Sequence, residues 1–313
     1  MKLQTNIPIF RESNQIDYDS NVLLMGSCFT ENIGAQLDYF KFRNIQNPFG
    51  VLFHPLAIEQ LIERAVEERF FTEEDLFCQD GIWHSFEVHS LLNANTQPAM
   101  VSLLNEQLRV LKATLASSSH IVLTFGTAWV YRHLTSDKVV ANCHKVPNKA
   151  FSKELLLVQD VSNSVENIQS LVRRVNPKAT LITTVSPVRH LKDGFVENTK
   201  SKAHLLAGLH AVSGVHYFPA FELMMDELRD YRFYKSDLLH PNETAIGIIW
   251  DRFGQVWIDP TTAALQKEID VIQKGLRHKP FHPESEAHLM FKESLQKKID
   301  DLKAKLPDVF FDE

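Results

Sequence analysis

Asp237 and His240 are the residues whose types and spacing point most directly to chemistry. An aspartate three positions before a histidine can set its carboxylate on the imidazole Nδ1–H. That fixes the tautomer and leaves Nε2 free as a general base. Pro241-Asn242 and a helix beginning near Glu243 strengthen the pattern, although a histidine here would also serve simply to cap that helix. A base calls for a nucleophile, and Gly26-Ser27-Cys28 offers two, Ser27 and Cys28. They fall between a short apolar run and a helical stretch. A residue on such a turn lies near the helix N-terminus, where unpaired N–H groups and the helix dipole favour an anion. That setting is expected to lower a thiol pKa or to steady an oxyanion. The plainer alternative makes Cys28 a small buried hydrophobe and Ser27 an N-cap.

These groups can cooperate only if segments some two hundred positions apart meet, so the elements that carry them matter. Val22-Leu23-Leu24-Met25 reads as a strand buried on both faces, followed by a helix from Thr30 to Phe40. Helices are also expected over Leu56–Phe70, Ala99–Ala116, Val161–Val175, Asn198–Leu209 and Thr244–Ile258. Further strands are expected over His120–Phe125, Ala179–Val185 and Val215–Phe218. Strands alternating with long helices imply βαβ units and a doubly wound parallel sheet. In such sheets ligands sit beyond the carboxyl ends of the strands. Three strands end there in unusual chemistry: Gly26-Ser27-Cys28, Gly126-Thr127-Ala128 and Ser186-Pro187-Val188-Arg189-His190. The opening segment to Ser20 is polar and is expected to wrap the surface. Residues 72–97 read as an irregular, aromatic-rich excursion, in which Trp83-His84-Ser85 is a candidate lid.

The chain divides at Pro260, giving an α/β domain over residues 1–260 and a helical extension over 261–313. Leu265, Ile269, Ile272 and Leu276 mark one helix of the extension. Leu295, Ile299, Leu302 and Leu306 mark another, with Pro280 and Pro283 between. The pair either packs on the parent domain or forms a homodimer or partner-binding arm through its heptad-like seam.

Other groups carry weaker signals. Asn142-Cys143-His144-Lys145 gathers amide, thiol, imidazole and amine, either to line a pocket and bind a polar or anionic group or as a loop held by local hydrogen bonds. Arg189 and His190 would bind a carboxylate or phosphate, or join a structural ion pair. Ser201-Lys202 lies within a helix and reads as surface or pocket rim. Fourteen histidines show no metal-ligand spacing, so no metal is expected.

Several blocks then resemble a known family. Met25-Gly26-Ser27-Cys28-Phe29-Thr30-Glu31-Asn32-Ile33-Gly34 resembles the signature that names the GSCFA family, with Thr30 in place of the alanine. Asn47-Pro48-Phe49-Gly50-Val51, Phe125-Gly126-Thr127-Ala128, Asn142-Cys143-His144-Lys145, Ser186-Pro187-Val188-Arg189-His190 and Asp237-Leu238-Leu239-His240-Pro241 follow in order. The likeness spans about residues 20–255. It implies membership of the SGNH (GDSL-like) hydrolases and a flavodoxin-like three-layer α/β/α fold with a parallel sheet. In register, Cys28 falls at the nucleophile position and Ser27 at the position of an aspartate. A one-residue shift of the turn would present Ser27 instead. Gly50 falls where a glycine amide enters the oxyanion hole. The asparagine usual after the third-block glycine is absent, since Thr127 follows Gly126. A backbone N–H, the Thr127 hydroxyl or Asn47 would have to substitute.

The resemblance implies an ester hydrolase or acyltransferase acting on an O-acylated, by analogy O-acetylated, carbohydrate or metabolite through a covalent acyl-enzyme. Asn142, His144, Arg189 and His190 are the expected substrate-binding residues. No cofactor is expected, and a CoA-linked acyl donor stays open. The competing expectation is a non-catalytic carbohydrate- or metabolite-binding protein on the same scaffold. A scaffold working through the C-terminal helices is a third.

Composition limits the remaining classes. The 313 residues carry 33 Lys and Arg against 39 Asp and Glu, a formal charge of −6. That argues against a nucleic-acid backbone as main partner. No apolar stretch approaches the roughly 20 residues of a membrane span, so no membrane partner is expected. Met1–Asn6 lacks the apolar core of a secretory signal. Three widely spaced cysteines, Cys28, Cys78 and Cys143, form no disulfide framework, and a reducing cytoplasm is the expected compartment.

Overall fold

Strand Val22–Gly26 is buried at all five positions in the computed structural model, which describes residues 5–307 and 309–311. It pairs in parallel with Asn44–Gln46 on one side and His120–Phe125 on the other. Thr180–Val185 and then His216–Tyr217 complete a five-stranded parallel sheet. Numbered along the chain, the strands lie in the order 2-1-3-4-5, the flavodoxin-like arrangement. The crossovers leave the first strand in opposite directions, which opens a crevice at its carboxyl end.

Side-chain alternation along the strands divides the core between two faces. Leu23 and Met25 join Ile121, Leu123 and Leu181 under helices Pro55–Val66, Gln97–Ser117, Val158–Val175 and Phe195–His210. Val22 and Leu24 join Val122 and Ile182 under Cys28–Tyr39 and Glu243–Trp257. The result is the expected three-layer α/β/α fold.

Several elements depart from the sequence reading. Asn44–Gln46 is an edge strand too short and polar to stand out. Trp129–His133 pairs antiparallel with Lys138–Val140 and Phe151–Leu155 in a separate small sheet. The 72–97 excursion contains a hairpin, Phe77–Gln79 with Ile82–His84. It is anchored by Arg64, whose buried guanidinium binds Glu87 and Asp75. Trp83-His84-Ser85 is part of that hairpin region rather than a free lid. Ser85 is buried, and Trp83 packs against the first core. The opening segment also does more than wrap the surface, because Ile16 is fully buried and pairs with Ile258.

Helices Ala263–Leu276 and Glu286–Lys305 pack on each other through Ile269, Ile272, Leu295, Ile299 and Leu302. They dock on the parent domain. Tyr39 Oη donates to Asp270 (2.8 Å), and Gln273 Nε2 donates to the Tyr39 carbonyl (3.0 Å). Among the described residues no helix is long and apolar enough to cross a membrane. Residues 1–4, part of the segment read for a secretory signal, lie outside the described residues.

Gly26 shows how closely the central strands approach at the rim. Its φ is +142°, and a Cβ there would lie 2.1 Å from the Thr124 carbonyl oxygen. Gly26→Ala is expected to cost more than about 3 kcal/mol, because a strained backbone and a steric clash coincide. An unchanged urea midpoint for this variant would contradict the packing described.

Candidate active site

Three strands of the sheet end in step. Gly26 is opposite Thr124 and Phe125 opposite Val185. Ser27 N–H donates to the Thr124 carbonyl (3.0 Å) and Ser186 N–H to that of Phe125 (2.8 Å). Ser27-Cys28, Gly126-Thr127 and the Ser186–His190 segment therefore leave the sheet along one rim. A segment around Leu52-Phe53 lies across it. Leu52 N–H donates to the Gly26 carbonyl (2.9 Å), and the amides of Gly126 and Thr127 donate to that of Phe53 (2.8 and 3.0 Å). The late loop joins this rim where Arg189 N–H donates to the Leu239 carbonyl (3.2 Å).

Asp237 and His240 form the pair that their spacing predicts. Asp237 Oδ2 and His240 Nδ1 lie 2.7 Å apart. Asp237 Oδ1 accepts from Leu239 N–H (2.8 Å) and His240 N–H (3.0 Å). Leu238 takes a left-handed conformation, φ +59°, to close this loop. The two backbone N–H groups, with the imidazole after them, hold the Asp237 carboxyl down at about 2. An ionised Asp237 takes the Nδ1 hydrogen and leaves Nε2 as the acceptor.

The turn after the first strand gives Ser27 and Cys28 different settings. Ser27 is fully buried and is the N-cap of helix Cys28–Tyr39, its Oγ accepting from Phe29 N–H (3.4 Å). Cys28 is the first residue of that helix and is half-buried. The expected lowering of its thiol pKa is not found. Burial pushes it up, and Glu31 adds to that. Lys202 and the amides of Cys28 and Phe29 oppose the rise without reversing it. Loss of hydration outweighs the helix N-terminus here, so the resting group is a thiol.

The expected oxyanion donors are mostly engaged elsewhere. Gly50 N–H closes a turn onto the Asn47 carbonyl (2.7 Å), with Gly50 at φ +73°. It is not free for a ligand. Thr127 Oγ1 accepts from Trp129 N–H (3.0 Å) and shares a hydrogen bond with Ser201 Oγ (3.0 Å). Asn47 Oδ1 accepts from Gly26 N–H (2.8 Å), while its Nδ2 is buried without a partner.

The proposed substrate-binding residues divide. Asn142 and His144 form the locally bonded loop. Asn142 Oδ1 accepts from His144 N–H (2.8 Å), and buried His144 donates from Nε2 to the Val88 carbonyl (3.1 Å). Arg189 places its guanidinium over Tyr234 (4.2 Å) and Tyr231 (5.4 Å), in place of an ion pair. His190 lies at the rim against Gly126 and Phe53.

Lys202 corrects the reading of Ser201-Lys202 as a surface pair. Both residues are buried, and Ser201 Oγ accepts from Ala128 N–H (2.7 Å). Lys202 Nζ donates to the carbonyls of Gly126 and Ser186, each at 2.7 Å. Burial pulls its pKa down to about 7, against a pull upward from Cys28. It acts electrostatically on Cys28 and His190, and His240 acts on His190. The rim therefore draws together groups from four distant segments. His89 was also missed. Its side chain packs on Gly50, where a Cβ would lie 2.5 Å from that of His89. A lysine on a helix with mixed neighbours gives no sequence sign of burial; only the run of strand ends above it could have suggested a partner. Among the described residues no three His, Cys, Asp or Glu side chains form a metal-sized group.

A sequence model described as the GSCFA family matches residues 21–253. A second, described as GSCFA domain protein, C-terminal domain, matches residues 269–313. No curated protein matches the chain.

Buried neutral histidines make the structure acid-sensitive. Burial lowers His54 and His144 to about 4 and His190 to about 3. In the unfolded chain these groups take up protons near their ordinary 6.5, so the unfolded state binds more protons below that pH. Stability is thus present above about 6.5 and lost as pH falls towards 4, by up to about 1.4 kcal/mol per pH unit for each histidine. Urea unfolding at pH 7, 6 and 5 should show this fall. His54→Gln should flatten it, and identical slopes for variant and parent would refute the assignment.

Proposed function

The chain belongs to the GSCFA family, and on that premise we propose that it is an SGNH-type ester hydrolase or acyltransferase working through an acyl-enzyme on Cys28. The observation that carries this reading is the Asp237–His240 pair, with its carboxylate fixed by three hydrogen bonds and its imidazole held by Nδ1. The half-buried Cys28 at a helix N-terminus supplies the partner, and Ser27 is spent as a cap.

In this mechanism His240 Nε2 takes the Cys28 proton as sulfur attacks the acyl carbonyl. A protonated resting thiol makes that base necessary. The carbon–sulfur bond forms and the carbonyl electron pair moves to oxygen. The amides of Cys28 and Phe29, and the unspent Asn47 Nδ2, are the nearby candidates to receive that charge. As the carbonyl reforms, the ester C–O bond breaks and the leaving alcohol takes the proton from His240. Water or an acceptor alcohol, deprotonated by His240, then cleaves the thioester and returns the proton to sulfur. An O-acetylated carbohydrate or similar metabolite fits as substrate by fold-level analogy, and a thioester intermediate also suits a CoA-linked donor.

A second reading has its own support. Gly50 N–H and the Thr127 hydroxyl are both consumed internally, which suits a metabolite-binding protein that performs no chemistry.

Short p-nitrophenyl esters separate the two. Catalysis predicts turnover that falls about 10²–10⁴-fold in His240→Ala and in Asp237→Asn. It also predicts an acyl adduct on the peptide containing residues 26–31 that Cys28→Ala abolishes. Turnover unchanged in both Cys28→Ala and Ser27→Ala would end the covalent route. Ligand-induced thermal stabilisation with no turnover would favour the binding protein.

A further inference from the structure

A side-chain donor at the end of the His120–Phe125 strand would add to the amides facing an oxyanion, and the Thr127 hydroxyl, paired with Ser201, does not supply one. We propose that His190 takes this place, presenting Nε2–H to the oxyanion formed on the substrate; the inference rests on the acyl-transfer reading above.

His190 Nε2 is buried and has no hydrogen-bond partner. It lies 3.0 Å from the point that a Cβ on Gly126 would occupy, directly at the end of the third strand. A polar atom left unpaired in the interior is costly, and functional sites are where such atoms persist. Two other candidates are engaged, since Gly50 N–H bonds Asn47 and the Thr127 hydroxyl bonds Ser201. Asn47 Nδ2 and the Cys28 and Phe29 amides lie on the other flank of the turn, so His190 would complete the donor set rather than replace it. His190 itself is held in place. Its N–H donates to Asn198 Oδ1 (2.9 Å), and its ring meets Phe53 edge-on at 5.5 Å between centroids.

The surroundings also fix its charge. Burial first, then the Lys202 ammonium and His240, keep the imidazole neutral down to about 3. A neutral imidazole polarises a carbonyl by donating a hydrogen bond without losing the proton, a role known for histidines whose pKa is driven down. Lys202 therefore acts as a positioning residue. It ties the carbonyls of Gly126 and Ser186 together and opposes protonation of the His190 ring. In the resting structure no water reaches Nε2, so the donor is desolvated in advance. An acyl oxygen would reach it only if the Phe53 ring, edge-on at 5.5 Å, turns aside.

The test uses the full chain with p-nitrophenyl acetate. His190→Ala should lower kcat/KM about 10²–10³-fold, carried by kcat with KM little changed. His190→Asn or His190→Gln, which restore a donor, should recover at least tenfold of that loss. The pH–rate profile should keep its shape in all three, because the group lost does not ionise in the working range. A loss below threefold in His190→Ala, a loss carried by KM, or a missing limb in the pH profile would overturn the proposal. The ¹⁵N shifts of the His190 imidazole give a readout free of turnover. An Nε2–H tautomer, neutral to pH 5, supports the donor role, and an Nδ1–H tautomer refutes it. A wild-type chain that hydrolyses no ester would count against the acyl-transfer reading, while the tautomer still decides the placement of the hydrogen.

Discussion

One buried lysine ties the strand ends of the sheet rim together. Lys202 is fully buried, and its charge is met by two peptide carbonyls, those of Gly126 and Ser186. Removing a charge from water is expensive, and two carbonyl dipoles compensate it only in part, which is why its pKa descends to about 7. The same group binds two strand ends into one unit and sets a positive potential beside Cys28 and His190. The thiol experiences that potential against burial and Glu31, and remains protonated. The imidazole experiences it together with burial, and remains neutral. A protonated sulfur and an uncharged ring are the starting conditions of the reaction proposed for this rim.

The parts legible in the sequence are those encoded by local or periodic signals. Val22–Gly26, His120–Phe125 and Thr180–Val185 are apolar runs because both faces are covered, and their lengths alone separate them from helices. Asp237 and His240 are legible because all their mutual contacts lie within four residues. The choice between Ser27 and Cys28 is not local. It depends on where the helix begins, and a boundary two residues earlier than expected makes Ser27 the cap and Cys28 the half-buried first residue. Lys202 is hidden because helical amphipathicity assigns lysine to water. Its partners are carbonyls from segments 76 and 16 residues away. Gly50 misleads for a related reason. Its backbone suits a ligand-binding turn, yet the turn consumes its own amide.

The remaining framework bears on the site indirectly. The Arg64 cluster with Glu87 and Asp75 anchors the excursion that delivers His89 to Gly50. At the far end of the helix that begins with Cys28, Tyr39 is held by Asp270 and Gln273 of the C-terminal pair. With Ser27 N–H on the Thr124 carbonyl at the other end, both ends of that helix are fixed by groups remote in sequence.

Because Asp237 draws all three of its hydrogen bonds from residues 239 and 240, the proton-accepting unit is a self-sufficient cassette. Its attachment to the rest of the rim runs through the Arg189–Leu239 peptide contact and the bridge between Tyr234 and Pro241. The union of carboxylate and imidazole is thus written within four residues, whereas the place of the pair along the rim is written by its contacts with Arg189 and Tyr234.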